Sequence, residues 1–545
     1  MPRENSKARV WVGRVSGYDT DAVREAVSRG LRFVAPSLRG NVVAKANWLL
    51  SHRRFATASS TRPELVAGAL EALFARQSQL RVLFSGSAAL GCSARHQARR
   101  ARGRVGPLAR EGYLALEAMF RGQVTVRPTD EAQLYRYQLS VGRRMSREQR
   151  DLLDAELDVD LRYWDRVVAG YELYHADAVV LFPKLKTSVL AGGLCGAVDL
   201  QGVGFLRGVD RLDGHNRHNA RRVVDMLEVT DPDLVITDAI EVGFGGGTMT
   251  QSGHHLGLLV VADNAVAHDA VCARLLGLDP QQNPQLRLAA ERGFGSIEEA
   301  DIEIGGDVDL QRAALQVVGF GPHVVGRVDD FSKRFERYCG AALPLDIHCG
   351  GFYEEAAGAG VLLDWLYSSF DHPRFRERMK RWPRCSVFVG EVQERPRNER
   401  IYLVGDRAIA SFAAQTDFMQ PALKLPLFIQ RQLAGSFGLY RYRLKGGGRG
   451  WVTAISGNPP SRQAISWAFL LGSLGRISPP LLGALPSPVE ACYQLFARLL
   501  SKRRNRHGIR LVHARKMART LRRPWRLGAG APVSLALRDD LEQGN

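Results

Sequence analysis

Cysteine is sparse in this 545-residue chain. Seven cysteines stand at 92, 195, 272, 339, 349, 385 and 492, and no two form a C-x-x-C pair. An odd, scattered set excludes a disulfide-built scaffold and a ferredoxin-type cluster motif, and it points to reduced thiols in a cytoplasm. Membrane-spanning runs are lacking as well. The apolar stretch Ala464–Gly475 is too short to cross a bilayer and runs into Arg476 and the Pro479-Pro480 pair. The amino-terminal MPRENSKARV has no apolar core of the signal-peptide kind. The expectation is a cytoplasmic protein, membrane-peripheral at most. No repeat of solenoid length, low-complexity tract or standard zinc spacing is present either.

What is abundant is positive charge, and it is unevenly placed. The net charge is +19. Eleven Lys and Arg residues lie between Lys502 and Arg526 with no acid among them, and six arginines fall between Arg95 and Arg110. The remainder is close to balanced, so the charge describes two segments and not the whole surface. The tail from Lys502 to Arg526 reads first as a solvated basic helix, then as a contact for an anionic membrane, and last as a nucleic-acid contact. Trp525 is its only aromatic residue, and no nucleic-acid module is recognisable.

At this length two or three domains are expected. Short apolar runs, each followed by a polar or glycine-rich loop, recur at NVVAKANW (41–48), LRVLFSGSAALG (80–91), VVLFPKLKTS (179–188), DLVITDAIEVGFGGG (233–247) and LGLLVVADNAVAHDAV (256–271). Helical patterns over Asp21 to Arg32, Arg62 to Ala75 and Asn219 to Glu228 separate several of them. Thr61, Pro63 and Glu64 form a helix-start signal, with Thr61 as the expected N-cap. Continuous apolar strands alternating with helices predict an α/β fold with a largely parallel, doubly wound sheet. The expected domains are an α/β core over 8–335 with an inserted helical segment at about 93–175, a smaller C-terminal α+β region over 340–500, and a basic tail over 501–545. In such sheets ligands bind beyond the carboxyl ends of the strands. That rule gathers Lys45, Asn47, Ser85, Ser87, Lys184, Lys186, Asp238, Glu241, Asp263 and Asp269 around one crevice.

These runs resemble, in order and spacing, the family called domain of unknown function 362. The matching stretches are Lys45-Ala46-Asn47, Thr61 to Glu64, Ser85 to Gly91, Pro183 to Thr187 with Gly196-Ala197-Val198, Asp238 to Gly247, and Asp263 to Ala270 leading into Arg274 to Gly277. The resemblance covers roughly residues 8–305 with the insertion set aside. Alanine stands at 46 where the family tends to have proline, Ser188 where it often has histidine, and Ser85-Gly86-Ser87 lacks its usual aspartate. The cluster cysteines of many relatives are absent. The resemblance therefore implies a fold and leaves the reaction open.

In an extended segment Lys184 and Lys186 point to one side and Leu185 to the other. With Lys45 they form an expected clamp for a carboxylate or phosphate, one lysine serving as base or nucleophile; the competing reading is salt bridges to Asp238, Asp263 or Asp269. Lys184, Lys186, Asp238 and Asp269 are the catalytic candidates, and Lys45, Asn47, Thr187, Glu241, Gly245, Gly246 and Gly247 the substrate-binding ones. Glycines 243 and 245–247 match neither a Walker loop nor G-x-G-x-x-G, so they imply no nucleotide. His215, His218, His254, His255 and His268 read as solvated or hydrogen-bonded side chains, although His215, His218 and Asp238 leave a metal ion open. His348-Cys349 with Glu354 and Glu355 is a second reactive-looking patch. The expected protein is an enzyme for a small anionic metabolite, with no nucleic-acid partner and an unknown cofactor. The alternatives are a non-catalytic binding or scaffold protein, or a membrane-peripheral protein held by its tail.

Overall fold

Apolar runs of five or six residues flanked by helical patterns fold here into one large sheet. The computed structural model describes residues 7–48, 58–88, 93–104, 106–139, 143–144, 161–188, 191, 193–207, 218–244, 252–315, 335–339, 385–389, 392, 400–424, 436–444, 447–456 and 488–513. The strands in chain order begin with β1 (Ala8–Arg14), β2 (Asn41–Ala46), β3 (Arg81–Ser85) and β4 (Val124–Val126). Next come β5 (Leu134–Gln138), β6 (Arg143–Arg144), β7 (Leu161–Arg162), β8 (Arg166–Gly170), β9 (Ala178–Phe182), β10 (Lys184–Ser188) and β11 (Gly193–Cys195). Then follow β12 (Leu234–Phe244), β13 (Ser252–Ala262) and β14 (Ile302–Gly306).

The large sheet runs β14-β1-β13-β12-β9-β2-β3-β4, and β10 continues from β9 to pair with β12 and β11. All neighbours from β12 to β4 are parallel. Both faces are covered, as uninterrupted apolar strands require. Val43, Val179, Leu181 and Leu185 pack on one side with the helices Ala197–Gly204, Asn219–Thr230 and Ala265–Leu275. Val42, Ala44, Val180 and Phe182 pack on the other with the helices Thr20–Val34 and Pro63–Arg76. The α/β class with a largely parallel, doubly wound sheet is thus the observed one.

Two local expectations change. Thr61 does not cap the helix Pro63–Arg76: the N-cap position is Arg62, without a side-chain cap bond. The Thr61 hydroxyl instead donates to the Phe182 carbonyl at 2.7 Å, because a strand end passes close enough to outcompete the local bond. Strand β13 is antiparallel to both of its neighbours, β1 and β12. Its carboxyl end therefore lies beside Val235 at the start of β12, which takes Asp263 to the far end of the sheet. There Asp263 accepts the Arg9 N–H at 2.9 Å.

The inserted segment holds the helices Ala94–Arg100, Gly106–Glu111 and Ala115–Met119, and it also supplies strands. β4 extends the large sheet, while β5 and β8 join β21 (Arg510–His513) in a three-stranded sheet. Farther along, β15 (Phe335–Cys339), β16 (Cys385–Val389), β17 (Arg400–Val404), β18 (Thr416–Lys424), β19 (Ser436–Leu444) and β20 (Arg449–Ser456) form a separate mixed sheet ordered β15-β16-β17-β20-β19-β18.

Candidate functional site

The apolar runs of β2 and β9 each lead to a lysine at the same end of the sheet, Lys45 within β2 and Lys184 just past Pro183. Lys45 lies opposite Leu181 of β9, and Pro183 breaks the ladder so that β10 pairs with β12 beyond it, Lys184 opposite Asp238 and Lys186 opposite Gly243. The register shifts between the two lysines. All three ammonium groups are out of solvent: Lys184 and Lys186 are 0% exposed and Lys45 is 1%. Lysines almost never bury without partners, so the contacts around each decide its role.

Lys184 is closed into a three-membered network. Its Nζ lies 3.1 Å from Asp238 Oδ1 and donates to the Tyr18 hydroxyl at 3.0 Å, and that hydroxyl donates to Asp238 Oδ1 at 2.8 Å. The second Asp238 oxygen accepts the Arg62 N–H at 3.0 Å. The salt-bridge reading therefore holds for Lys184 and Asp238. Burial lowers the Lys184 pKa, against the pull of Asp238, and raises that of Tyr18 well above its ordinary value, helped by the Asp238 charge. Glu241 approaches from the bulge after Ala239, its backbone N–H donating to the Tyr18 oxygen at 3.3 Å. Tyr18 has no motif around it and escaped the sequence reading.

Lys186 looks into a different neighbourhood. Its Nζ donates to the Ser59 carbonyl at 2.8 Å, and its electrostatic neighbours are Cys195, Asp199 and Lys184. Burial lowers its pKa. Cys195 donates to Asp199 Oδ2 at 3.1 Å, and Asn219 donates to Asp199 Oδ1 at 3.1 Å. Burial raises the pKa of both Cys195 and Asp199. Asn47 joins this group through Nδ2, 4.0 Å from the Cys195 sulfur. Thr187 reaches the Gly243 carbonyl at 3.5 Å. Lys45 donates to Ser87 Oγ at 3.4 Å and lies over the Phe205 ring, 5.6 Å from its centroid. Ser59 is fully buried, and its hydroxyl has no hydrogen-bond partner among the described residues.

Asp269 serves the backbone. Its two oxygens accept the N–H groups of Ala197 and Val198 at 2.7 and 2.9 Å, capping the helix Ala197–Gly204 from outside, and Oδ1 also meets His268 Nδ1 at 2.6 Å. With both oxygens engaged in this way, Asp269 positions the helix that carries Asp199. His268 Nε2 in turn meets the Thr237 hydroxyl at 2.7 Å.

His218 stacks near Tyr163, with ring centroids 5.4 Å apart. His254 and His255 lie opposite Val242 and Glu241 on β13. Gly245, Gly246, Gly247, His215, His348, Cys349, Glu354 and Glu355 lie outside the described residues. Among the described residues no group of three His, Cys, Asp or Glu side chains is placed to hold a metal ion. A cavity of about 460 Å³ lies at the opposite, amino-terminal ends of β2 and β3, lined by Asn41, Arg81, Arg127 and Glu172 among others, away from the lysines.

Fold and site together define an α/β protein with a buried lysine cluster at the carboxyl ends of a parallel sheet. The family model described as "Domain of unknown function (DUF362)" matches residues 144–274, supporting the family read from the ordered motifs. That span holds Lys184, Lys186, Asp238, Glu241 and Asp269, and leaves Tyr18, Lys45 and Asn47 upstream of it. No curated protein matches the sequence. Among solved structures, the lactate racemase apoprotein from Thermoanaerobacterium thermosaccharolyticum is similar at 11% identity with a TM-score of 0.29, over 49% of this chain and 57% of that one. So slight a likeness carries no argument about activity.

Proposed function

We propose that the protein is an enzyme acting on a small anionic metabolite, whose carboxylate or phosphate group is held by Lys45 and Lys186 and whose proton is handled by Lys184, Tyr18 and Asp238. The observation that carries this reading is the burial of three lysines at 1% exposure or less on adjoining strand ends. Desolvating an ammonium group costs several kcal/mol, and perturbed lysines of this kind gather where a charge is used. The Ser59 hydroxyl, which has no partner among the described residues and whose own carbonyl meets Lys186, supports the same reading, because a buried donor without an acceptor is costly and an anion satisfies it.

The two lysine neighbourhoods divide the work. Lys184 is paired with Asp238, while Lys186 faces Ser59, Cys195 and Asp199. The Tyr18 oxygen accepts from Lys184 and its hydrogen is donated to Asp238. One proton moving from Lys184 Nζ to the Tyr18 oxygen, as the phenolic proton moves to Asp238, gives a neutral amine and a carboxylic acid. The lowered pKa of the buried lysine makes that shift less costly. Asn47, Thr187 and Glu241 border the two networks and orient the substrate.

The test is anion-induced thermal stabilisation of the full chain with inorganic phosphate and, separately, malonate. Saturating ligand at about a hundred times its Kd stabilises by about 2.7 kcal/mol, which reads as a Tm rise of a few degrees. Lys45→Met and Lys186→Met should each melt cooperatively and lose that rise. Equal stabilisation of both variants and the parent would overturn the clamp and leave the lysines as structural groups.

A further inference from the structure

The helix Pro488–Arg504 is inverted relative to an ordinary surface helix. Its inner face is pinned to the inserted segment by polar groups. Arg99 Nη1 donates to the Tyr493 hydroxyl at 3.3 Å, Arg504 donates to the Glu131 carbonyl, and Asn505 Oδ1 accepts the Leu134 N–H at 2.8 Å. Its outer face is apolar: Leu495 is 59% exposed, Phe496 50% and Leu499 58%. With exposed Cys492 these sit at i, i+3, i+4 and i+7, one stripe along the helix. Just beyond, Ile509 and Leu511 are 39% and 48% exposed. Elsewhere among the described residues the exposed large apolar side chains are Met119 and Trp451, far apart in the chain. A concentration of this kind marks a contact surface.

From Ala491 onward the charge along this segment is of one sign. Arg498, Lys502, Arg503, Arg506 and Arg510 are exposed along the same segment, and no acid occurs from Ala491 to Arg538. A cavity of about 420 Å³ lined by Leu500, Arg503, Arg504, Arg506 and His507 opens beside the helix end. We propose that this surface docks the protein on an anionic lipid bilayer, the stripe entering the headgroup and acyl boundary and the arginine-lined cavity taking lipid phosphate. Two observations choose this occupant. A second copy meeting the face would set the basic run from Arg498 to Arg510 against its own copy, which repels. Nucleic acid would answer the arginines and leave an aliphatic stripe without a partner, whereas an anionic membrane answers both. Among the described residues no helix is long and apolar enough to cross a membrane, so the contact lies on the surface. This inference stands apart from the lysine site, and either can fail without the other.

The experiment is co-sedimentation of the full chain with vesicles of phosphatidylcholine alone and of phosphatidylcholine containing phosphatidylglycerol, at low and high salt. Expected are retention on the anionic vesicles only, a fall in retention at high salt, about a tenfold loss in Leu495→Glu/Leu499→Glu, and roughly a fivefold loss per charge in Arg503→Gln and Arg506→Gln. The substituted side chains point to solvent, so an unchanged Tm certifies the fold of each variant. Absent retention on anionic vesicles, or retention indifferent to both kinds of variant, overturns the proposal. So does a dimer in sedimentation velocity that the Leu495/Leu499 variant dissolves, or binding of single-stranded RNA in place of vesicles that only the arginine variants weaken.

Discussion

Asp238 accepts from the Tyr18 hydroxyl and the Arg62 backbone while facing Lys184 at 3.1 Å, so both of its oxygens are engaged inside the protein. Removing its cation leaves a buried carboxylate uncompensated. Lys184→Met should therefore destabilise by about 3–5 kcal/mol, and adding Asp238→Asn should cost far less than the sum of the single changes; urea unfolding of the three variants measures both. Asp199 behaves differently, because burial raises its pKa above the ordinary 3.8. A raised carboxyl contributes stability that is complete below 3.8 and is lost as pH rises through the folded-state value. Asp199→Asn keeps a neutral group there, so it should be more stable than the parent at pH 7 and converge with it on acidification toward 3.8. Unfolding curves across that range give the sign. At this scale the sequence was partly legible. Lys45, Lys184 and Lys186 stood out because charge follows an apolar run. Tyr18, Ser59, Cys195 and Asp199 did not, since a lone hydroxyl, thiol or carboxylate in a loop or helix carries no period and acquires meaning only when a distant strand end is brought beside it.

The helix Ala197–Gly204 shows how an element fixes the site. It has no cap of its own and borrows the Asp269 carboxylate from the helix Ala265–Leu275. Gly196 makes room, for a Cβ there would strike that carboxylate. At its other end a Cβ on Gly204 would strike Cε of Lys45. Asp269→Ala should cost about 1–3 kcal/mol for each of the two orphaned backbone donors, seen as a lowered Tm. The strands were legible as elements because their apolar runs are continuous. Their directions were not: nothing in LGLLVVAD separates a parallel from an antiparallel strand, and that ambiguity put Asp263 at the wrong end of the sheet. The Thr61 start signal misled for a related reason, since the Phe182 carbonyl captured the hydroxyl that a local cap would have used.

On the scale of the whole molecule, one parallel sheet edge collects the ionisable groups into two networks, and the basic excess lies elsewhere. Arg95, for one, belongs to the inserted segment, where it pairs with Glu131 at 2.5 Å. The α/β class followed from alternating strands and helices, and the strand-end rule located the lysines. What the rule could not supply was the division of the cluster into a Lys184 paired with Asp238 and a Lys186 set against Ser59, Cys195 and Asp199, on either side of the register shift between β10 and β12. The central claim is that this edge binds a small anion through Lys45 and Lys186. A crystal structure of the protein grown with malonate tests it most directly. The expected result is an anion whose carboxylate oxygens lie within hydrogen-bond distance of Lys45 Nζ, Lys186 Nζ and the Ser59 hydroxyl. An anion bound elsewhere, with these three groups in their present contacts, would contradict the account.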